Sequence, residues 1–203
     1  VVSMNIHSSL LYLMMLFEPG TFYFASAIAT DAYEGCLKEY PDQKHSQHIL
    51  PYLPSLNFLV GQGNCTDGSH EVGTSQAYAY DFDMPIGTEI VATHSGRVVE
   101  VIEHFAENNG TAGQENYIII QNHDKKWITG YYHLTQDGAW VEEGEMVKQG
   151  QVIGLSGNTG DSSGPHLHFE AAFCQDCQTF PVTFRNTRPH ENGLVEGEYY
   201  QAD

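Results

Sequence analysis

Cations are scarce in this sequence: only eight of 203 residues are Lys or Arg, against 26 Asp or Glu, for a formal net charge of −18. None lies between Lys44 and Arg97. Phosphate backbones are bound by clustered cations, so this scarcity argues against nucleic acid as a partner. It favours partners that are neutral or cationic. The apolar run Leu10 to Phe17 falls well short of the roughly 18 residues of a membrane span, so no transmembrane segment is expected. Long stretches of helical period are also few, and no Ser or Cys nucleophile motif is present. What is plentiful is glycine, twenty residues, between short runs rich in Val, Ile, Thr, Tyr and Phe. That pattern belongs to a mostly β protein, and the length suits one domain with its own core.

The first 29 residues carry two readings. Leu10 to Phe17 followed by Ala25-Ser26-Ala27 and Ala27-Ile28-Ala29 resembles an export signal with its cleavage site. No basic residue precedes the run and Glu18-Pro19-Gly20 interrupts it, which suits an N-terminal arm instead. Residues 30–55, with prolines at 41, 51 and 54, read as a lead-in segment that packs on the domain. The main domain is expected over 56–186, and 187–203, which has no strong pattern, as a C-terminal segment on the surface.

Four cysteines, at 36, 65, 174 and 177, fit two disulfides, for which three pairings exist. Proximity favours Cys36 with Cys65 and Cys174 with Cys177. A four-cysteine zinc site needs two close pairs, and only Cys174-Gln-Asp-Cys177 is one. Strands are expected at Phe58 to Gln62, Tyr78 to Asp83, Glu89 to Thr93, Arg97 to Ile102, Tyr117 to Gln121, Trp127 to His133, Gln151 to Leu155 and Leu167 to Phe173. Short strands at this spacing imply antiparallel sheets forming a sandwich or partly closed barrel. Pro85 to Thr88 and Val141 to Leu155 look like tight hairpin corners, the second punctuated by Gly144, Gly150 and Gly154. Glu107 to Glu115 is a polar, glycine-containing loop.

The eleven histidines are not equivalent. His7, His45, His48, His94, His104, His123 and His190 stand without other ligand types and read as structural or exposed. Gly164-Pro165-His166-Leu167-His168-Phe169-Glu170 differs: on a strand His166 and His168 point to one face while Leu167 and Phe169 point to the other. Metal hydrolysis needs about three ligands from His, Asp or Glu and a position left for water. Alternation over Trp127 to His133 would place Tyr131 and His133 on one face.

Taken in order, Ser69-His70, Tyr78-Ala79-Tyr80-Asp81-Phe82 with Met84 to Thr88, Gly130-Tyr131-Tyr132-His133-Leu134, and Gly157-Asn158-Thr159-Gly160 leading into His166 to Glu170 resemble the lysostaphin-like (LytM-type) zinc metallopeptidases. These are bacterial endopeptidases that cut the peptide part of peptidoglycan. The resemblance covers about Phe58 to Phe184 and implies an all-β fold of the duplicated hybrid motif type. It implies one zinc ion held by His70, Asp81 and His168, with His166 and His133 as catalytic groups. The family's usual first motif has His four residues before Asp, where this sequence has Ala77, so the ligand role passes to His70 as in the Ser-His variants. Asp83 shares strand parity with Asp81 and competes with it, but reads better as a turn residue before Pro85. Tyr131 and Asn158 are expected to touch substrate or to support the ligands from behind, and Glu170 to stand behind the metal or at the surface.

The resemblance further implies a secreted or periplasmic monomer acting on a cross-bridge or stem peptide. A noncatalytic relative that regulates cell-wall hydrolases, or a zinc peptidase of another extracellular protein, are the alternatives; the complete ligand set that the resemblance implies weighs against the first of them.

Overall fold

The computed structural model describes Cys36 and residues 39–203. The apolar run Leu10 to Phe17, the small-residue sites at 25–29 and His7 therefore lie outside the described residues. Among the described residues there is no α-helix, only one turn of 3-10 helix at Gln43–His45.

Eleven strands follow: β1 Asn57–Gln62, β2 Tyr80–Asp83, β3 Glu89–Val91, β4 Gly96–Ile102, β5 Tyr117–Asn122, β6 Ile128–Tyr132, β7 Leu134–Ala139, β8 Met146–Val147, β9 Val152–Ser156, β10 His166–Ala172 and β11 Tyr199–Gln201. They form an eight-stranded sheet in the order β11-β1-β2-β10-β6-β5-β4-β8 and a three-stranded sheet in the order β3-β9-β7. Neighbouring strands run antiparallel throughout. The large sheet is open, with β11 and β8 at its edges, so the architecture is a sandwich rather than a closed barrel.

Alternation explains where the core lies. Tyr80 and Phe82 of β2, Leu167 and Phe169 of β10, Tyr131 of β6 and Ile118 and Ile120 of β5 all point inward. They meet Ile90, Leu134 and Ile153 from the small sheet in one continuous cluster. Each large side chain so buried contributes about 1.5–3 kcal/mol of apolar transfer. The residues between them on the same strands, Asp81, His166, His168, Glu170 and Tyr132, are thereby sent to the opposite face.

Three sequence expectations need correction. The corner at Pro85 to Thr88 does turn, with the Thr88 N–H on the Pro85 carbonyl at 3.2 Å, but it carries the chain from the large sheet to the small one and closes no hairpin. Gly144 and Gly150 do lie in turns with positive φ, whereas Gly154 sits inside β9, where a Cβ would approach the Gly138 carbonyl to 2.7 Å. The segment after Phe184 is not merely surface: β11 pairs with β1, and Leu194, Tyr200 and Ala202 belong to the core. Its apolar residues are too few to show a period, so pairing at a sheet edge was invisible in the sequence. The lead-in also contributes, since Leu50 and Tyr52 are buried in the same cluster. Disulfides join Cys36 to Cys65 and Cys174 to Cys177, with Cα atoms 5.8 and 5.1 Å apart.

Phe169, fully buried with its ring centroid 5.5 Å from that of Tyr131 and 5.7 Å from that of Phe184, ties β10 to β6 and to the chain that follows the sheet. Phe169→Ala is expected to lower the unfolding free energy by about 3–5 kcal/mol, read from urea denaturation.

Candidate active site

Three adjacent strands supply the site. In the register of β2 against β10, His168 is opposite Asp81 and His166 opposite Asp83. Across β10 and β6, His168 is opposite Tyr132. His70 comes from the loop between β1 and β2, fully buried, with its Nδ1 3.1 Å from the Gly63 carbonyl. A carbonyl only accepts, so Nδ1 carries the proton and Nε2 presents a lone pair to the sheet.

That lone pair completes a trio. His70 Nε2 and His168 Nδ1 are 3.3 Å apart, His168 Nδ1 and Asp81 Oδ1 2.9 Å, and His70 Nε2 and Asp81 Oδ1 3.5 Å. Three donors of a tetrahedral metal centre with bonds of about 2.0–2.2 Å stand roughly 3.3–3.6 Å apart, so the arrangement is already near that of a cation's ligand shell. The electrostatics agree. Burial disfavours an imidazolium at His168, yet the hydrogen bonds and charges of Asp81 and Glu170 overcome it and hold the group up at about 10. Burial likewise opposes ionisation of Asp81, but the hydrogen bond and charge of His168, with His70 and His166 nearby, bring its carboxyl down to about 2. At His70 burial prevails over the attraction of Asp81 and lowers the pKa. Two carboxylates thus call for positive charge at this spot, which a divalent ion would supply in place of a proton. Asp83 stays outside the trio, exposed at the end of β2 beside Gly61.

Two more imidazoles flank the trio. The His166 ring centroid lies 4.5 Å from that of His133, and its Nε2 is 3.9 Å from Asp81 Oδ2. Each faces a backbone acceptor with Nδ1: His166 the Gly164 carbonyl at 2.8 Å, His133 the Thr159 carbonyl at 2.7 Å. Both therefore place a hydrogen on Nδ1 and turn Nε2 away from the backbone. Burial, reinforced by His166 and His168, lowers His133 to about 3, so it is neutral at any ordinary pH. Ser162 Oγ, 3.1 Å from His166 Nδ1 and 2.7 Å from Asn158 Oδ1, links Asn158 to that ring.

Tyr131 is where the sequence misled. Its ring is fully buried in the core, with the hydroxyl 2.8 Å from the Thr93 N–H and 3.0 Å from Thr93 Oγ1, so it does not reach the cleft. Alternation breaks because β6 ends at Tyr132 and His133 takes a left-handed backbone, φ +62°. That conformation costs about 1–2 kcal/mol for a non-glycine residue, and it brings His133 to the side of Tyr132 and His168. Tyr132 is the residue missed: its ring centroid is 5.5 Å from that of His168, and its hydroxyl donates to Glu170 Oε1 at 3.2 Å. Glycine at 130, two residues back on the same face, was the available signal.

Asp81, His168 and both flanking histidines line a cleft of about 510 Å³ together with Glu115, Asp161, Ser162, Asp176 and Cys177, while His70 is buried behind them. Among the described residues no Lys or Arg lines it. A donor trio beside two imidazoles with available lone pairs is the equipment of metal-assisted hydrolysis.

The relatives agree with that class. Residues 75–179, just over half of the chain, match Peptidase family M23, and the chain belongs to that family. His70 falls before the matched range, while Asp81, His133, His166 and His168 fall within it. Peptidoglycan DD-endopeptidase ShyA of Vibrio cholerae is 46% identical over 90 residues, 44% of this chain and 19% of that protein. Lysostaphin of Staphylococcus simulans is 41% identical over 124 residues, 61% of this chain and 23% of that protein. The chain thus spans about a fifth of the length of these curated relatives. The structure of the antimicrobial peptidase lysostaphin from S. simulans superposes with a TM-score of 0.51 at 30% identity, covering 67% of this chain and 51% of that one.

If His70, Asp81 and His168 form the metal site, alanine at any of them abolishes stoichiometric metal uptake, whereas Asp83→Asn leaves it intact. Metal content of the purified variants by mass spectrometry checks both halves.

Proposed function

We propose that this protein is a zinc-dependent endopeptidase that hydrolyses peptide bonds of peptidoglycan, in a cross-bridge or stem peptide, outside the bacterial cytoplasm. The observation that carries the reading is the trio His70, Asp81 and His168 at metal-ligand separations beside two imidazoles with available Nε2 atoms. Two nitrogens and one carboxylate oxygen are a zinc donor set that leaves a fourth position open. The names of ShyA and lysostaphin, a peptidoglycan endopeptidase and an antimicrobial peptidase, support the substrate class. His70 also answers the departure at Ala77, which would otherwise favour a noncatalytic regulator.

Zinc, when bound, supplies a Lewis acid that polarises the scissile carbonyl and acidifies water. The chain's own groups do the rest. His166 takes the proton of the attacking water on Nε2 and passes it to the leaving amine nitrogen, its Nδ1–H held throughout by the Gly164 carbonyl. His133, kept neutral by burial, is the poorer base; its Nε2 accepts the water's other hydrogen and orients it. Oxyanion stabilisation by His133 would need the imidazolium that its burial disfavours. No covalent intermediate enters. Glu115, Asp161 and Asp176 give the cleft walls negative charge, which attracts peptides bearing ammonium groups and opposes acidic ones.

The test is release of new amino groups from purified peptidoglycan, with products read by mass spectrometry. Release that stops with a zinc chelator and returns with zinc is expected; release indifferent to the chelator, or none from zinc-loaded folded protein, contradicts the reading. His166→Ala should retain zinc and lose about 10²–10⁴-fold in turnover. Asp161→Asn with Asp176→Asn should raise KM for peptides carrying a free amine more than for neutral ones, measured on matched synthetic substrates.

A further inference from the structure

Tyr132 and Glu170 stand behind His168, and neither has a part in the proton transfers above. Their placement follows from register: across β6 and β10, Gly130 is opposite Glu170 and Tyr132 opposite His168. Because residue 130 has no side chain, the Tyr132 ring lies over it, in space that a Cβ would occupy. From there its hydroxyl reaches diagonally to Glu170 Oε1 at 3.2 Å. The other oxygen, Oε2, lies 3.4 Å from His168 Nε2. Tyr117 backs the Tyr132 ring at 5.3 Å between centroids. In the contact with Glu170 the phenol O–H is the donor. Glu170 itself is buried, and its carboxylate can only accept. His168 thus pairs Nε2 with Glu170 and Nδ1 with Asp81 and His70, and an ion that replaces the proton on the Nδ1 side leaves Nε2 its hydrogen toward Glu170.

We propose that Tyr132 and Glu170 are positioning residues for the metal: Tyr132 orients the Glu170 carboxylate, and Glu170 holds His168 in the tautomer whose Nδ1 faces the ion. The proposal rests on the zinc reading given above. A carboxylate behind a ligating imidazole both sets its tautomer and increases its basicity, and losing one commonly weakens metal affinity about 10–100-fold. What is particular to this chain is the tyrosine that aims the carboxylate and the glycine that makes room for the tyrosine, which join the Gly130 to Leu134 and Pro165 to Glu170 motifs into one device.

Zinc dissociation constants of the parent, Glu170→Gln, Tyr132→Phe and the double variant, from competition with a chelating dye, test it, together with the visible absorption of each protein loaded with Co²⁺. Glu170→Gln is expected to raise the dissociation constant about 10–100-fold and to shift the Co²⁺ bands. Tyr132→Phe should raise it by a smaller factor, and the double variant should match Glu170→Gln alone, because the tyrosine acts through the carboxylate. Unfolding of the metal-free proteins is followed alongside; should Glu170→Gln not fold, Tyr132→Phe, which removes one oxygen, decides alone. Unchanged affinity and Co²⁺ spectrum in a folded variant, or effects of the two substitutions that multiply, overturn the proposal. A parent protein that takes up no zinc contradicts the zinc reading itself, which is a different result.

Discussion

The register of β2 against β10 is the constraint from which the rest of the site follows, because it decides at once which residues enter the core and which meet on the outer face. With His168 opposite Asp81, Phe82, Leu167 and Phe169 are inside, and His168 Nδ1 and Asp81 Oδ1 are outside, 2.9 Å apart. A slip of β10 by one residue would drive His166, His168 and Glu170 into the apolar cluster and expose Leu167 and Phe169, an exchange costing many kcal/mol. Folding stability and site assembly are therefore the same event. β6 extends the arrangement by one strand, bringing Tyr132 beside His168.

Electrostatics sets the second condition. Buried or half-buried carboxylates and imidazoles are expensive unless their charges balance. Asp81 and Glu170 bracket His168 from two sides, and a proton or a metal ion at the trio restores the balance. Beyond the trio, the acidic cleft walls have no basic partner among the lining residues. The whole-chain charge of −18 thus has a local expression, which attracts cationic groups and repels anionic ones.

Much of this was legible in the sequence, and the exceptions have physical causes. Alternation in His166 to Glu170 foretold two histidines on one face, since that strand is regular from end to end. The strands β1 to β6, β9 and β10 were readable because apolar runs lay between glycine turns. β7 was not: Leu134–Ala139 contains Gln136, Asp137 and Gly138 and pairs irregularly with β9. β8, two residues long, and β11, at the sheet edge, were too short for a period. Tyr131 was misassigned because the left-handed backbone at His133 ends the alternation one residue early, a break no periodicity argument could anticipate. His70 was identifiable by resemblance alone, as a loop residue eleven positions from Asp81; its contact with the sheet is a matter of tertiary structure.

The central claim is that this register builds a single zinc centre from a loop histidine and two strand residues. Anomalous diffraction at the zinc edge from crystals of the zinc-loaded chain addresses it directly. The account predicts one strong peak, about 2.0–2.2 Å from His70 Nε2, His168 Nδ1 and an Asp81 carboxylate oxygen. A peak bonded to His166 or Asp83 in place of one of these, or no ordered zinc at the trio, would contradict it.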